Sequence, residues 1–339
     1  MNAFFVLFCL LSSPLICKAA ISYDFSGGRF GDNLLSYIHA RWISYSKGLP
    51  FVYRPFPYSS LLELHREISK KKYRSQIKLH LQESIPSFEI TQLLICPYFA
   101  EEDLYGAKNC DFFRVDWKNP EFRCFISQLI APKKSISVIR PDPHSINVAL
   151  HFREGGGFDS AASYQSQPKK FPPFAFYEKS LHHLLTLFPL APIHCHIFTD
   201  ALFSQEFVQK LHPIFSSYPS LRFTYRKDNN RHDQNILEDF FSFFNFDILI
   251  RPDSNFSLIP SLIHDFAMVY SPKEFCLREG VPEINRIQVE THASTIHQII
   301  DRTGVSCVYL LSDLFVLECG SDHAQNTLPP LLPESRDQG

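Results

Sequence analysis

The chain lacks a dominant charge: 33 Lys and Arg stand against 35 Asp and Glu, for a formal net charge of −2. No basic field covers it, so a nucleic-acid partner is not expected. The one short basic run, Lys70-Lys-Lys-Tyr-Arg74, reads as a solvated helix end. The nine cysteines include no C-x-x-C pair and no zinc-ligand spacing, which excludes zinc ribbons and dithiol redox motifs. Methionine and tryptophan number two each. Beyond residues 3–17 no apolar run is long enough to span a bilayer. The body is not short of apolar residues: 45% are hydrophobic and 20% charged, an ordinary globular balance.

What is abundant is phenylalanine, with 33 residues, read as genomic or core-packing bias rather than chemistry. A length of 339 residues accommodates two domains. Residues 3–17 form an apolar core of signal-peptide length. Cys17 and Ala19 are the small residues before a cut after Ala19, although no Lys or Arg precedes the core. The expectation is residues 1–19 as a leader and an exported or secretory-pathway mature chain without a membrane span. Cys110 with Cys124, and Cys276 with Cys307 or Cys319, are candidate disulfides in an oxidising compartment. Cys195, inside an apolar strand-like run, is the expected free thiol.

From Ala20 the order is strand (20–25), glycine loop (Ser26 to Asn33), helix with Leu34, Ile38, Trp42 and Tyr45 on one stripe, and strand (50–53), a βαβ unit. Residues 54–140 mix helix-like stretches, 61–68 and 119–130, with proline and aromatic loops. The polar, proline-bearing stretch 131–144 reads as a linker. Strands at 146–152, 193–199, 221–225, 247–250 and 268–271 then alternate with helices at 173–187, 204–211, 236–246 and one opening from Arg251–Ser257 to about 266. Such alternation predicts an α/β fold with a parallel sheet. The expected domains are 20–140 and 146–324, with 325–339 a Pro-rich, polar tail.

The stretch Ile146-Asn-Val-Ala-Leu-His-Phe-Arg-Glu-Gly-Gly-Gly157 is the most informative. Its alternation puts His151 and Arg153 on one face at a strand's C-terminal end, where open α/β sheets bind ligands. Arginine there suits a phosphate, and the glycines Gly155 and Gly156 let a ligand approach bare amides. The ligand expected from these residues is anionic.

Three strand-end loops, namely His151 to Gly157, Thr199-Asp200 and Asp253-Ser-Asn-Phe-Ser257, follow the N-terminal loop Gly28-Arg-Phe-Gly-Asp-Asn33. In this order they resemble the fucosyltransferase superfamily of α-1,2-fucosyltransferases and protein O-fucosyltransferases, and most closely the single-Arg, O-fucosyltransferase-like version. The resemblance covers residues 22–271 in patches. It implies a GT-B-like architecture, two Rossmann-like domains with a cleft between them, residues 20–140 the acceptor-side domain and 146–324 the domain that binds the donor nucleotide sugar. It implies a metal-independent, inverting transfer from GDP-fucose or another nucleotide sugar to a glycan or protein acceptor. The absence of any D-x-D pair agrees with the metal-free expectation, and no cofactor is expected. Arg153 matches the residue that stabilises the leaving diphosphate, and His151 the histidine beside it. Asp200 matches the acidic residue associated with the nucleotide, and Asp253, Ser254, Asn255, Phe256 and Ser257 the donor loop at a helix start. Gly28, Arg29, Phe30, Gly31 and Asn33 match the loop that closes on donor or acceptor.

The chain departs from the family at three places. Glu154 stands where α-1,2 enzymes have a second Arg, Asp32-Asn33 replaces Asn-Gln, and Asp253-Ser254-Asn255 replaces a more Ser-rich loop. Glu154 and Asp159 are the candidate bases for an acceptor hydroxyl. Asp200 is also a plausible helix cap. Glu238-Asp239 reads either as a nucleotide contact or as the exposed side of a helix. His194 and His196 read as satisfied histidines rather than metal ligands. Asn255-Phe-Ser257 is a glycosylation sequon inside the proposed donor loop. Two other functions stay open: a binding module of the same fold without catalysis, and an unrelated exported α/β phosphate-binding hydrolase.

Overall fold

The computed structural model describes residues 19–64, 73–89, 91–155, 166–200, 204–227, 234–305, 307 and 314–319. The leader through Lys18, the 325–339 tail and half of the helix expected at 61–68 lie outside them; of the other half, Leu61 ends a short 3-10 turn and Leu62 forms a bridge to Pro132 rather than a helix. The chain divides into two units: residues 1–140, 235–244 and 254–265 form the first, and 141–234, 245–253 and 266–339 the second. The first crossing, at Arg140 and Pro141, falls within the stretch read as a linker. Two segments that the strand–helix rhythm assigns to the second unit, 235–244 and 254–265, fold into the first.

The first unit holds a three-stranded parallel sheet in the order β1 (Ala20–Tyr23), β3 (Gln92–Cys96), β2 (Ser75–Lys78). The strand expected at 50–53 contributes a single parallel bridge, Phe51 to Ile21. Helices α1 (Phe30–Lys47), α2 (Cys110–Phe113) and α3 (Pro120–Ile130) accompany it. Asn119 caps α3, its side chain accepting from Phe122 N at 3.0 Å, and Pro120 opens the first turn.

Helix α1 differs from the one-stripe amphipathic helix expected. Every residue from Phe30 to Arg41 except Asp32 is buried, and Ile43 with them, so α1 is the central element of this unit's core. Most of its buried polar groups have partners, as low-dielectric surroundings demand; His39 Nδ1 is buried without a hydrogen-bond partner. Ser36 Oγ donates to Asp32 O at 3.1 Å. His39 Nε2 lies 3.2 Å from Glu101 Oε1, and its ring stacks on Phe99 at 4.0 Å. The Arg41 guanidinium lies 4.1 Å from the Phe51 ring centroid, while its Nε donates to Tyr37 Oη at 3.1 Å.

The second unit is built on a seven-stranded sheet, β10-β9-β8-β7-β4-β5-β6. Its strands are β4 (Ile146–Phe152), β5 (Ile193–Thr199), β6 (Leu221–Tyr225), β7 (Ile248–Ile250), β8 (Met268–Arg278), β9 (Val281–Thr291) and β10 (Leu314–Glu318). Strands β4 to β8 pair in parallel, and β8, β9 and β10 antiparallel. Helices α4 (Phe174–Leu187), α5 (Ser204–Ile214) and α8 (Ala293–Thr303) belong to this unit; α6 (Ile236–Ser242) and α7 (Asn255–Ile263) belong to the first. In strand sequence the parallel part runs third, second, first, fourth, fifth, the Rossmann order, so the topological switch point lies between β4 and β7. Ile146, Val148 and Leu150 enter one core with Cys195 and Ile197. On the opposite face His194 Nε2 and His196 Nδ1 both meet Thr224 Oγ1, at 2.6 and 2.8 Å, so each histidine has a partner within the sheet, while His194 Nδ1 is buried without one.

The expected strand 268–271 continues to Arg278 and turns into β9, so the α/β pattern is followed by an antiparallel hairpin. None of the seven described cysteines is in a disulfide; the candidate disulfides do not form here, and Cys195 is buried as expected of a thiol.

Candidate functional site

In the second unit the site is built at the C-terminal ends of β4 and β7. His151 is the last fully buried residue of β4, and Arg153 follows the strand half-buried. Parallel pairing sets Leu150 of β4 beside Ile250 of β7, so Arg251 emerges next to this end. Burial first, and the charges of Arg153 and Arg251 second, push the His151 imidazole down to about 3. It is therefore an uncharged ring at neutral pH, within the electrostatic reach of both guanidiniums, and the positive charge of the site belongs to the arginines.

Arg153 is steered by an aromatic: its Cζ lies 5.3 Å from the Phe171 ring centroid, with Lys170 Nζ 5.5 Å from the same centroid. The segment carrying them is tied to the end of β7, since Asp253 N donates to Lys169 O at 2.8 Å. Asp200, at the end of β5, spends its carboxylate on the turn after β4. Its Oδ1 accepts from the amides of Glu154 at 2.8 Å and Gly155 at 3.2 Å. Gly155 has φ of +98°, a conformation a side chain resists. The Glu154 side chain is exposed. Gly156 and Asp159 lie outside the described residues.

In the first unit the structure brings the N-terminal loop and the helix start at 254–257 together. Phe30 to Asn33 are the first turn of α1 rather than loop, because Asp32 Oδ2 accepts from Arg29 N at 3.0 Å and closes the turn. Asn33 is buried, with Nδ2 donating to Gly28 O at 3.3 Å. Asn255 Nδ2 donates to Asp32 Oδ1 at 2.7 Å and to Tyr98 Oη at 2.9 Å. Burial, with Asp32 beside it, pushes the Tyr98 phenol up to about 12. Gly31 sits where any Cβ would lie 2.6 Å from Phe256 N and 2.9 Å from Asn255 C, so it permits a close approach of α1 to α7. Phe30 packs against Phe240, and Phe256 against Phe240 and Phe243. Ser254 and Ser257 are buried at the start of α7.

The sites expected from sequence thus form two clusters. His151, Arg153, Glu154, Gly155, Asp200 and Asp253 belong to the second unit, and Gly28 to Asn33 with Ser254 to Ser257 to the first. Arg251 and Tyr98 were missed. Arg251 is a strand-end arginine just as Arg153 is, and that parallel was the available signal; Tyr98 follows a strand the sequence did not reveal. Among the described residues no group of three or more His, Cys, Asp or Glu could hold a metal ion. No helix among them is long and apolar enough to cross a membrane.

No known protein-family model and no curated protein matches the chain significantly. Among solved structures it is similar to a point mutant of Arabidopsis thaliana FUT1 in complex with GDP, with TM-score 0.47, 11% identity, and 79% of this chain and 74% of that one covered. It is also similar to the fucosyltransferase NodZ from Bradyrhizobium, with TM-score 0.41, 13% identity, and 81% and 99% covered. A third similar structure is NodZ α-1,6-fucosyltransferase soaked with GDP-fucose, at TM-score 0.40 and 13% identity, covering 75% of this chain and 94% of that one.

Proposed function

We propose that this protein is a glycosyltransferase of fucosyltransferase type, which transfers fucose from GDP-fucose to a hydroxyl of a glycan or protein with inversion and without a metal ion. The observation that carries the proposal is the pair of guanidiniums, Arg153 and Arg251, beside the uncharged His151 at the β4–β7 switch point. That is where an open α/β sheet receives a nucleotide, and paired arginines suit a diphosphate. Loss of the diphosphate leaving group develops negative charge, which preorganised cations stabilise more in the transition state than in the ground state. The Asp200 carboxylate fixes the turn that carries Arg153, so the guanidinium is oriented before the donor arrives. Glu154 is the described candidate for the base that takes the acceptor proton. An exported protein, cut after Ala19, belongs to the same proposal.

A thermal-shift series with GDP, UDP, ADP and inorganic phosphate tests the donor. Ligand at a hundredfold its Kd adds about 2.7 kcal/mol of stability, and the proposal expects GDP to be the most effective. GDP release from GDP-fucose in the presence of an acceptor then tests catalysis. Phosphate acting as well as GDP would overturn the nucleotide assignment. Selective GDP binding with no transfer to any acceptor would make the protein a binding module instead.

A further inference from the structure

A cavity of about 580 Å³ is lined by residues of the first unit alone. Its walls come from the turn after Phe56, the stretch after α3 and the start of α6. Two of these are joined by backbone: Glu63 N donates to Ala131 O and Lys133 N to Leu61 O, at 2.8 and 2.9 Å, around the antiparallel bridge Leu62–Pro132. The buried Ser59 hydroxyl ties the turn, accepting from Phe56 N at 2.9 Å and meeting Tyr53 Oη at 2.6 Å. The cavity is thus preformed, and its size is that of a small-molecule site.

The wall includes one strained backbone position, Tyr58, beside an asparagine that adopts the left-handed region readily. Four non-glycine residues among those described have positive φ, and two of them, Tyr58 at 67° and Asn235 at 50°, line this cavity. A tyrosine in that region is held there against its own preference, and such strain gathers where a surface is shaped for binding.

The lining narrows the ligand. Leu61, half of whose surface is exposed, forms an apolar wall with Ile136 and Ile236. Lys133, Lys134 and Ser60 bring donors, with Lys133 Nζ held by Ser60 O at 3.1 Å; Glu238 brings acceptors, and Asn235 brings both. A simple anion could pair with the lysines but makes no use of the apolar wall or of the Glu238 acceptors, and an acyl chain makes no use of the polar groups. A polyhydroxylated ring system uses all three features: C–H faces against the apolar wall, hydroxyl hydrogens to Glu238, hydroxyl oxygens to the lysines and amide. We infer that this cavity is a carbohydrate-binding site, recognising a neutral oligosaccharide, and that Glu238 serves it rather than a nucleotide. The inference does not rest on the nucleotide-sugar reading, because every residue in it lies in the first unit.

The test is equilibrium binding of short neutral oligosaccharides (cello-, xylo-, chito- and manno-series) to the full chain, with a heparin-derived oligosaccharide as the anionic probe. At least one neutral series should bind, with little dependence on salt. Glu238→Ala and Lys134→Met should each weaken it by roughly fivefold to tenfold, the scale of one lost hydrogen bond, with the unfolding midpoint kept. On the unaltered protein, the same oligosaccharide should slow acetylation of Lys134, a readout that needs no variant. If the anionic probe binds best, loses affinity in salt and gains it in Glu238→Ala, the site is an anion site and the inference fails. It fails equally if no neutral oligosaccharide binds, or if binding leaves Lys134 acetylation unchanged.

Discussion

Replacing Gly31 with alanine separates two explanations of the N-terminal glycines. If Gly31 is needed so that a ligand can approach bare amides, Gly31→Ala costs binding and leaves stability alone. The structure gives another reason: the new Cβ would lie 2.6 Å from Phe256 N, 2.9 Å from Asn255 C and 3.0 Å from Phe256 Cα. All three are backbone atoms, so no rotamer change relieves the contact. Comfortable carbon contacts lie near 3.5–4.0 Å, so the start of α7 must withdraw by about 1 Å. Overpacking of this kind costs about 1–3 kcal/mol. The same movement stretches the 2.7 Å bond from Asn255 Nδ2 to Asp32 Oδ1, and hydrogen bonds to charged groups contribute about 1.5–3 kcal/mol. Against this stands a gain of up to about 1 kcal/mol for alanine over glycine in a helix. The expected net loss is about 1.5–6 kcal/mol, a fall in Tm on the order of 5–20 °C for a unit of this size. Thermal unfolding of the two proteins, followed by circular dichroism without ligand, gives the answer. An unchanged or higher Tm for Gly31→Ala would refute the close-approach reasoning and return the glycine to ligand binding.

Arg153→Ala should lower kcat for transfer by about 10²–10³ with a smaller change in KM, and Arg153→Lys should restore only part of it because an ammonium lacks the planar fork; near-normal turnover in Arg153→Ala contradicts the diphosphate assignment. Asp200→Ala should cost about 1.5–3 kcal/mol in urea unfolding by orphaning the Glu154 and Gly155 amides, and Asp200→Asn less, since the amide oxygen still accepts. Burial pushes His151 down to about 3, His183 to about 4 and His196 to about 3, from 6.5; the unfolded chain therefore takes up protons that the folded chain refuses. Their contribution is intact above pH 6.5 and is lost as pH falls toward 3, by up to about 1.4 kcal/mol per pH unit for each histidine; a urea midpoint that stays flat from pH 7 to about 5 would contradict it. Protein secreted from a glycosylating host should carry no glycan on Asn255, because its Nδ2 is engaged by Asp32 and Tyr98; peptide mass mapping that finds a glycan there on folded protein refutes the pairing.

The sequence by itself determined what depends on neighbours along the chain. Strands 146–152, 193–199 and 221–225 match the structure to the residue, because apolar alternation bounded by polar and glycine punctuation is a local signal. His151 and Arg153 were placed at a strand end by the same alternation. The tertiary structure decided what depends on distant partners. Strand β2 is mostly exposed, with no alternation to read, and exists only through pairing with β3. The full burial of α1, His39 and Arg41 included, follows from its central place in a core and not from any stripe in its sequence. Gly31 looks like a ligand-loop glycine until Phe256, far along the chain, is found against it. Arg251 joins Arg153 only because β7 pairs with β4, and residues 254–265 fold with the first unit although the rhythm of strands and helices runs through them unbroken. Periodicity records which face of an element is apolar; it carries no record of which distant element that face will meet.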